Sequence, residues 1–276
     1  MSRIEKRFAQ LKADKRAGLV AYISAGDPDA PLGYQILKGL PAAGADLIEL
    51  GMPFTDPMAD GPSVQLAGQR ALKAGITVDA TFDMVRRFRK EVDNDTPILL
   101  MGYYNLVYQR GAERFCKEAA EAGVDGFILV DLPPEEAGAL KPHAEANGID
   151  TVLLTAPTTD DKRLPAVLKY AAGFVYFVSV LGTTGTKSAT EEAVRTHVSR
   201  IKSHTKLPVA VGFGIKTPEQ AAAVARHADA AVVGSAIVDQ VKAALDGNGK
   251  PKPDLVAGLL AFVKSLAEGV RSVKKA

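Results

Sequence analysis

The sequence predicts an α/β fold of parallel strands, and three observations carry the prediction. Eight short apolar runs alternate with helical segments at fairly even spacing. The runs are continuously apolar rather than alternating, the pattern of strands covered on both faces. No Pro/Ser-rich linker marks off a second domain, so residues 1–276 are read as one. A closed (β/α)8 barrel and a doubly wound open sheet both fit the alternation. Eight units with no element left over favour the barrel, a fold that commonly needs about 250 residues.

Ile4, Phe8 and Leu11 fall at helical spacing and predict an extra N-terminal helix that caps the domain. Residues 18–26 read as a fully buried strand, 31–43 as a helix, and the apolar run around Glu49 as the second strand. Two helical segments follow at 63–74 and 79–91, then a strand at 97–103, a helix at 111–122 ending at Gly123, and a strand at 126–132. Pro133, Pro134, Glu135 and Glu136 place proline and acids in the first turn of the next helix, as the helix dipole favours. Strands at 150–155, 174–179, 207–211 and 230–233 alternate with helices near 161–171, 190–204, 218–226 and 254–270.

Hydrophobic residues make up 47% of the chain and charged residues 24%, the balance of an ordinary globular protein. A net charge of +2 gives no case for a nucleic-acid or membrane partner. The single cysteine, Cys116, excludes an internal disulfide and a multi-cysteine metal site, and is read as a small buried hydrophobe. His143, His197, His204 and His227 all sit in or near helices, and no Cys/His/Asp cluster has metal-ligand spacing. No apolar run approaches the ~20 residues of a membrane span. Residues 1–16 lack the apolar centre of a secretory signal, and Glu5 and Asp14 interrupt any transit-peptide character, so the expected compartment is the cytoplasm.

The chemistry centres on residues 46–61. Leu47, Ile48 and Leu50 form a short apolar strand that Glu49 interrupts near its end. A carboxylate inside such a strand is costly to bury without a partner, so Glu49 is expected at the strand terminus, facing a cleft. Gly51 and Pro53 end the strand, and the following loop delivers Asp56 and Asp60. Two carboxylates in different environments hold different pKa values and can divide acid and base roles. After the last three strands come Gly182-Thr-Thr-Gly-Thr186, Gly212-Phe-Gly214 and Gly234-Ser235. Glycine lets backbone N–H groups approach an anion, and barrels place phosphate at the late loops. An isolated turn glycine would carry no such weight; its recurrence after consecutive strands does. Tyr22, Leu100, Leu129 and Leu154 are candidate walls for a flat ring, and Tyr176 for the barrel mouth, although core packing accounts for them equally well.

Ile48-Glu49-Leu50-Gly51 and Phe54-Thr55-Asp56-Pro57-Met58-Ala59-Asp60-Gly61 closely resemble the signature of the tryptophan synthase alpha subunit, a match over fourteen consecutive positions. The resemblance implies a TIM barrel that cleaves indole-3-glycerol phosphate to indole and glyceraldehyde 3-phosphate by a retro-aldol reaction. It implies Glu49 and Asp60 as catalytic residues, with Tyr176 beside Glu49. It carries phosphate binding to Gly185, Gly214, Gly234 and Ser235. Residues 182–190 become a mobile lid in which Thr184 meets Asp56 on closure. Val180-Leu181 departs from the polar residues common before that lid, a change that bears on lid kinetics rather than on the chemistry. The resemblance further implies no cofactor in this chain, and an α2β2 complex with a beta subunit that binds pyridoxal phosphate. Two rivals are a sugar-phosphate epimerase or isomerase, which has no reason to carry the whole 48–61 signature, and a non-catalytic subunit, against which intact Glu49 and Asp60 argue.

Overall fold

The computed structural model describes residues 1–178, 191–212 and 214–275. It opens with α1 (Arg3–Ala13), whose Ser2 hydroxyl accepts from the Glu5 N–H while the Glu5 carboxylate accepts from the Ser2 N–H, a reciprocal capping box. Then follow β1 (Gly18–Ser24), α2 (Ala30–Gly39), β2 (Leu47–Gly51), α3 (Pro62–Lys73), α4 (Val78–Glu91) and β3 (Ile98–Gly102). The middle of the chain gives α5 (Tyr104–Arg110), α6 (Ala112–Ala122), β4 (Gly126–Leu129), a 3₁₀ turn at Ala137–Ala139 and α7 (Lys141–Ala146). It continues with β5 (Asp150–Thr151), β6 (Leu153–Thr155), α8 (Leu164–Leu168), β7 (Val175–Val178) and α9 (Glu191–Lys202). The end is β8 (Val209–Gly212), α10 (Pro218–Ala225), β9 (Ala230–Val233), α11 (Ser235–Ala243) and α12 (Leu255–Arg271).

All strand pairings are parallel, in the order β5-β4-β3-β2-β1-β9-β8-β7-β6. The strand expected at 150–155 is divided at Val152: its first half pairs with β4 and its second with β7. One segment therefore joins both ends of the sheet order, and the eight expected strands form a barrel ring. Two helices went unanticipated, α5 and α11, and the helix expected to open at Pro133 begins as a 3₁₀ turn instead.

The pleat sends alternate side chains inward and outward. Val20, Leu47, Leu99, Ile128, Val152, Phe174, Ala210 and Ala230 form the barrel interior. Ile4, Phe8 and Leu11 of α1 belong to that same cluster, so α1 plugs the end of the barrel at which the strands begin. Leu19, Ile48, Ile98, Phe127 and Val209 instead pack against the surrounding helices.

This alternation corrects two expectations. Leu100 and Leu129 face the helix layer, not the barrel mouth. Leu129 packs with Leu132, Ala137 and Leu140 around a small void beneath the turn that precedes α7. In their strands the inward positions fall to Met101 and Ile128. A continuously apolar strand carries no mark of which alternate set points in, and that is why the sequence misled here.

Candidate active site

Glu49 lies one position past Ile48 on β2, so the pleat that buries Ile48 against helices turns Glu49 into the barrel. It is 1% exposed, and its Oε1 has no hydrogen-bond partner among the described residues. Desolvation alone raises its pKa from 4.5 to about 8. Glu49 is therefore a carboxylic acid at neutral pH, sunk deeper than the cleft-facing strand terminus expected of it.

A cavity of about 100 Å³ opens above it, with Tyr22, Asp60, Gly61, Val64, Met101, Tyr176, Gly214, Ile215, Lys216, Gly234 and Ser235 among its lining. The pairing of β1 with β2 puts Tyr22 opposite Glu49. A Cβ placed on Gly51 would stand 2.3 Å from the Tyr22 hydroxyl, so glycine there leaves room for that ring. Burial holds the Tyr22 and Tyr176 phenols well above the ordinary value, and both sense Glu49. They are neutral hydroxyls beside the acid. Leu154 lies with the interior cluster but not among the cavity's lining residues.

The loop after β2 brings in Asp60. Its N–H donates to the Pro57 carbonyl at 3.1 Å, and Gln65 of α3 donates to the Asp60 carbonyl at 2.8 Å. Arg70 on the same helix clamps Asp27, after β1, with two bonds of 2.6 and 2.8 Å. α3 thus anchors the loop to both of the first two strands. Tyr103, just past β3, stacks on Phe54 with centroids 5.1 Å apart, and its hydroxyl accepts from the Ala59 N–H at 2.9 Å. That hydroxyl also bonds the Asp60 carboxylate and lowers its pKa, against the larger effect of desolvation, which raises it to about 6. The sequence reading missed Tyr103. Its signal was position: an aromatic hydroxyl directly after a strand end, where barrel sites are built.

Gly214, Gly234 and Ser235 meet at the other side of the cavity. Gly214 has φ +72, a left-handed conformation that favours glycine. Gly234 has an ordinary φ of −118, and a Cβ there would come 3.5 Å from the Tyr22 Cβ, in plain contact distance. Glycine at 234 is therefore not demanded by the backbone; it keeps the cavity wall clear. Ser235 begins α11. Ile237 and Val238 donate to the Gly234 carbonyl, leaving the N–H groups of Ser235 and Ala236 to meet an anion. Asp56 is exposed on the loop and accepts from the Thr55 hydroxyl at 2.5 Å. Its expected partner Thr184, together with Gly185, lies outside the described residues. Among the described residues no cluster of three or more His, Cys, Asp or Glu side chains could hold a metal.

The family model for the tryptophan synthase alpha chain matches residues 8–268. A tryptophan synthase alpha chain from Caulobacter sp. (strain K31) is 58% identical over 272 residues, 99% of this chain and 97% of the relative. The crystal structure of tryptophan synthase subunit alpha from Legionella pneumophila str. Paris matches with a TM-score of 0.90 at 39% identity, covering 99% of this chain and 100% of that one. A structure of Mycobacterium tuberculosis tryptophan synthase matches with a TM-score of 0.87 at 34% identity over 98% of each chain. Alpha chains of this family cleave indole-3-glycerol phosphate in tryptophan biosynthesis, take no cofactor of their own, and join a beta subunit that carries pyridoxal phosphate. With such identity sustained across nearly the whole of both chains, this chain belongs to the tryptophan synthase alpha chain family and is a lyase acting on a carbon–carbon bond.

Proposed function

We propose that Glu49 and Asp60 divide the acid–base work of the cleavage. Glu49, protonated at neutral pH, delivers its proton to indole C3. The ring becomes an indolenine cation and can now accept the electrons of the bond to the glycerol chain. Asp60, ionised above about pH 6, accepts the indole N–H and stabilises the charge that develops on that nitrogen. Glu49, now a carboxylate, takes the proton of the adjacent glycerol hydroxyl as the bond breaks. Indole and the aldehyde leave, and Glu49 is again a neutral acid. One group serves as acid and then as base, and no outside proton is consumed.

The observation that carries this reading is the pair of environments. The cavity holds one carboxyl at about 8 and another at about 6, the order that acid and anion stabiliser need. Tyr22, Met101 and Tyr176 flank the ring, while Gly214, Gly234, Ser235 and, from the lid, Gly185 receive the phosphate. Asp56 and Thr184 close the lid over the substrate. The whole chain acts as one barrel domain in the cytoplasm; among the described residues no helix is long and apolar enough to cross a membrane. The test is kcat/KM for indole release against pH, with and without a beta subunit. A bell with limbs near 6 and 8 is expected, as is a loss of at least ~10²-fold in Asp60→Asn at the optimum. A profile flat from pH 5 to 9 would remove both carboxyls from the chemistry.

A further inference from the structure

We infer that Lys216 is a phosphate-recognition residue of this site, supplying the cationic contact that the glycine and serine backbone donors lack. The inference rests on the phosphate reading of Gly214, Gly234 and Ser235 given above. Among the described residues that line the cavity, the charged groups are Glu49, Asp60 and Lys216, so Lys216 is the one cation there. It lies on the same wall as Gly214, Gly234 and Ser235. No described carboxylate within salt-bridge distance claims its ammonium.

The backbone of Lys216 is held in place. Its N–H donates to Gln220 Oε1 at 2.7 Å, and the neighbouring Thr217 caps α10 by accepting from the Gln220 N–H. Ile215, on its other side, is buried. The side chain itself is exposed, at the rim. The pinned backbone fixes where the side chain begins, so ordering on a ligand beside it costs the rotamer freedom of the lysine stem but no further backbone freedom.

Charge balance gives the reason for a cation. A phosphate monoester carries close to two negative charges at neutral pH, and it enters a cavity that already holds ionised Asp60. The backbone N–H groups and the N-terminus of α11 supply only partial positive charge, so without Lys216 the loaded site has about three negative charges and no full positive charge among the described residues that line the cavity. A charge-assisted hydrogen bond at a rim position is worth on the order of tenfold in affinity.

The test compares wild type with Lys216→Ala, Lys216→Arg and Gly234→Asp, each assayed for indole release and titrated with glycerol 3-phosphate and with indole. In Lys216→Ala, KM for indole-3-glycerol phosphate and Kd for glycerol 3-phosphate should each rise about tenfold, with kcat affected much less. Neutral indole should bind as before. The weakening of glycerol 3-phosphate binding by added salt should flatten, because the screened charge is gone, and Lys216→Arg should recover most of the loss. Unchanged glycerol 3-phosphate affinity in Lys216→Ala, with Gly234→Asp still defective, overturns the role of Lys216 and leaves the phosphate site standing. Unchanged affinity in Gly234→Asp as well overturns the phosphate site and the inference with it. Equal weakening of indole and glycerol 3-phosphate in Lys216→Ala also overturns the inference, since that marks a displaced loop rather than a lost charge.

Discussion

Glu49→Gln should make the protein more stable while abolishing its turnover, and the gain should depend on pH in a way that only a buried, neutral acid produces. The folded protein holds the Glu49 proton up to about pH 8, whereas the unfolded chain releases it near 4.5. Between those values the native state binds the extra proton, so stability falls as pH rises, by about 1.4 kcal/mol per pH unit. Below 4.5 the group costs nothing. At pH 7 the accumulated cost is about 3 kcal/mol, and it levels off above pH 8. Glutamine keeps the shape and polarity of the neutral acid and never ionises, so it escapes this cost. At about 2 °C per kcal/mol for a chain of this length, the variant should melt roughly 6 °C above wild type at pH 7. The difference should shrink to nothing near pH 4.5. The assay is thermal unfolding of both proteins from pH 4.5 to 8.5, paired with indole release, which should drop at least ~10²-fold. A gap in melting temperature that stays constant across that range would refute the reasoning, because it would mean that Glu49 titrates alike in the folded and unfolded chains.

Tyr103→Phe removes the hydroxyl that holds the Asp60 pKa down, so the acid limb of the kcat/KM profile should move up by about one pH unit; an unmoved limb would show that Asp60 does not feel that hydroxyl. Leu100→Ala should cost about 3 kcal/mol of stability as a cavity against the helix layer and leave KM near normal. Met101→Ala should raise KM, and the opposite pattern in steady-state kinetics would reverse the assignment of faces. Asp56→Ala should reduce turnover stimulated by a beta subunit more than basal turnover, since its proposed work is lid closure; an equal fractional loss in the two conditions would leave it a solvated loop acid.

The barrel was legible because its signals are local and repeated. Each strand is a short apolar run, and each helix repeats every three or four residues, as in Ile4, Phe8 and Leu11. The acid pair was legible because Glu49 interrupts such a run, and because the residues from Ile48 to Gly61 resemble one family closely. What stayed hidden depended on the third dimension. Leu99 and Leu100 are chemically identical neighbours, yet one faces the barrel interior and the other the helices. α11 begins directly after β9 with no intervening turn residues other than Gly234, so its nine residues ran on from the strand in the sequence pattern. Tyr103 and Lys216 follow a strand and a glycine loop at positions that mean nothing until the ring closes and brings β3 and β8 to one mouth.

The same closure accounts for the chemistry. In an open sheet, a glutamate between two aliphatic residues would find water on one side and ionise. In the closed ring its face is the interior, walled by Leu47, Leu99, Ile128 and Val152 and stopped from below by Ile4, Phe8 and Leu11 of α1. No described side chain offers Glu49 Oε1 a hydrogen bond, so nothing there stabilises the anion, and the proton stays until a substrate can take it. Asp60 has a different setting, on a loop over the mouth, where the Tyr103 hydroxyl supports its negative charge. The two carboxyls differ because one belongs to the pleat and the other to the loop. Any change that lets water reach the barrel floor, such as removal of the α1 plug, should therefore lower the Glu49 pKa and blunt the acid without touching a single residue of the site.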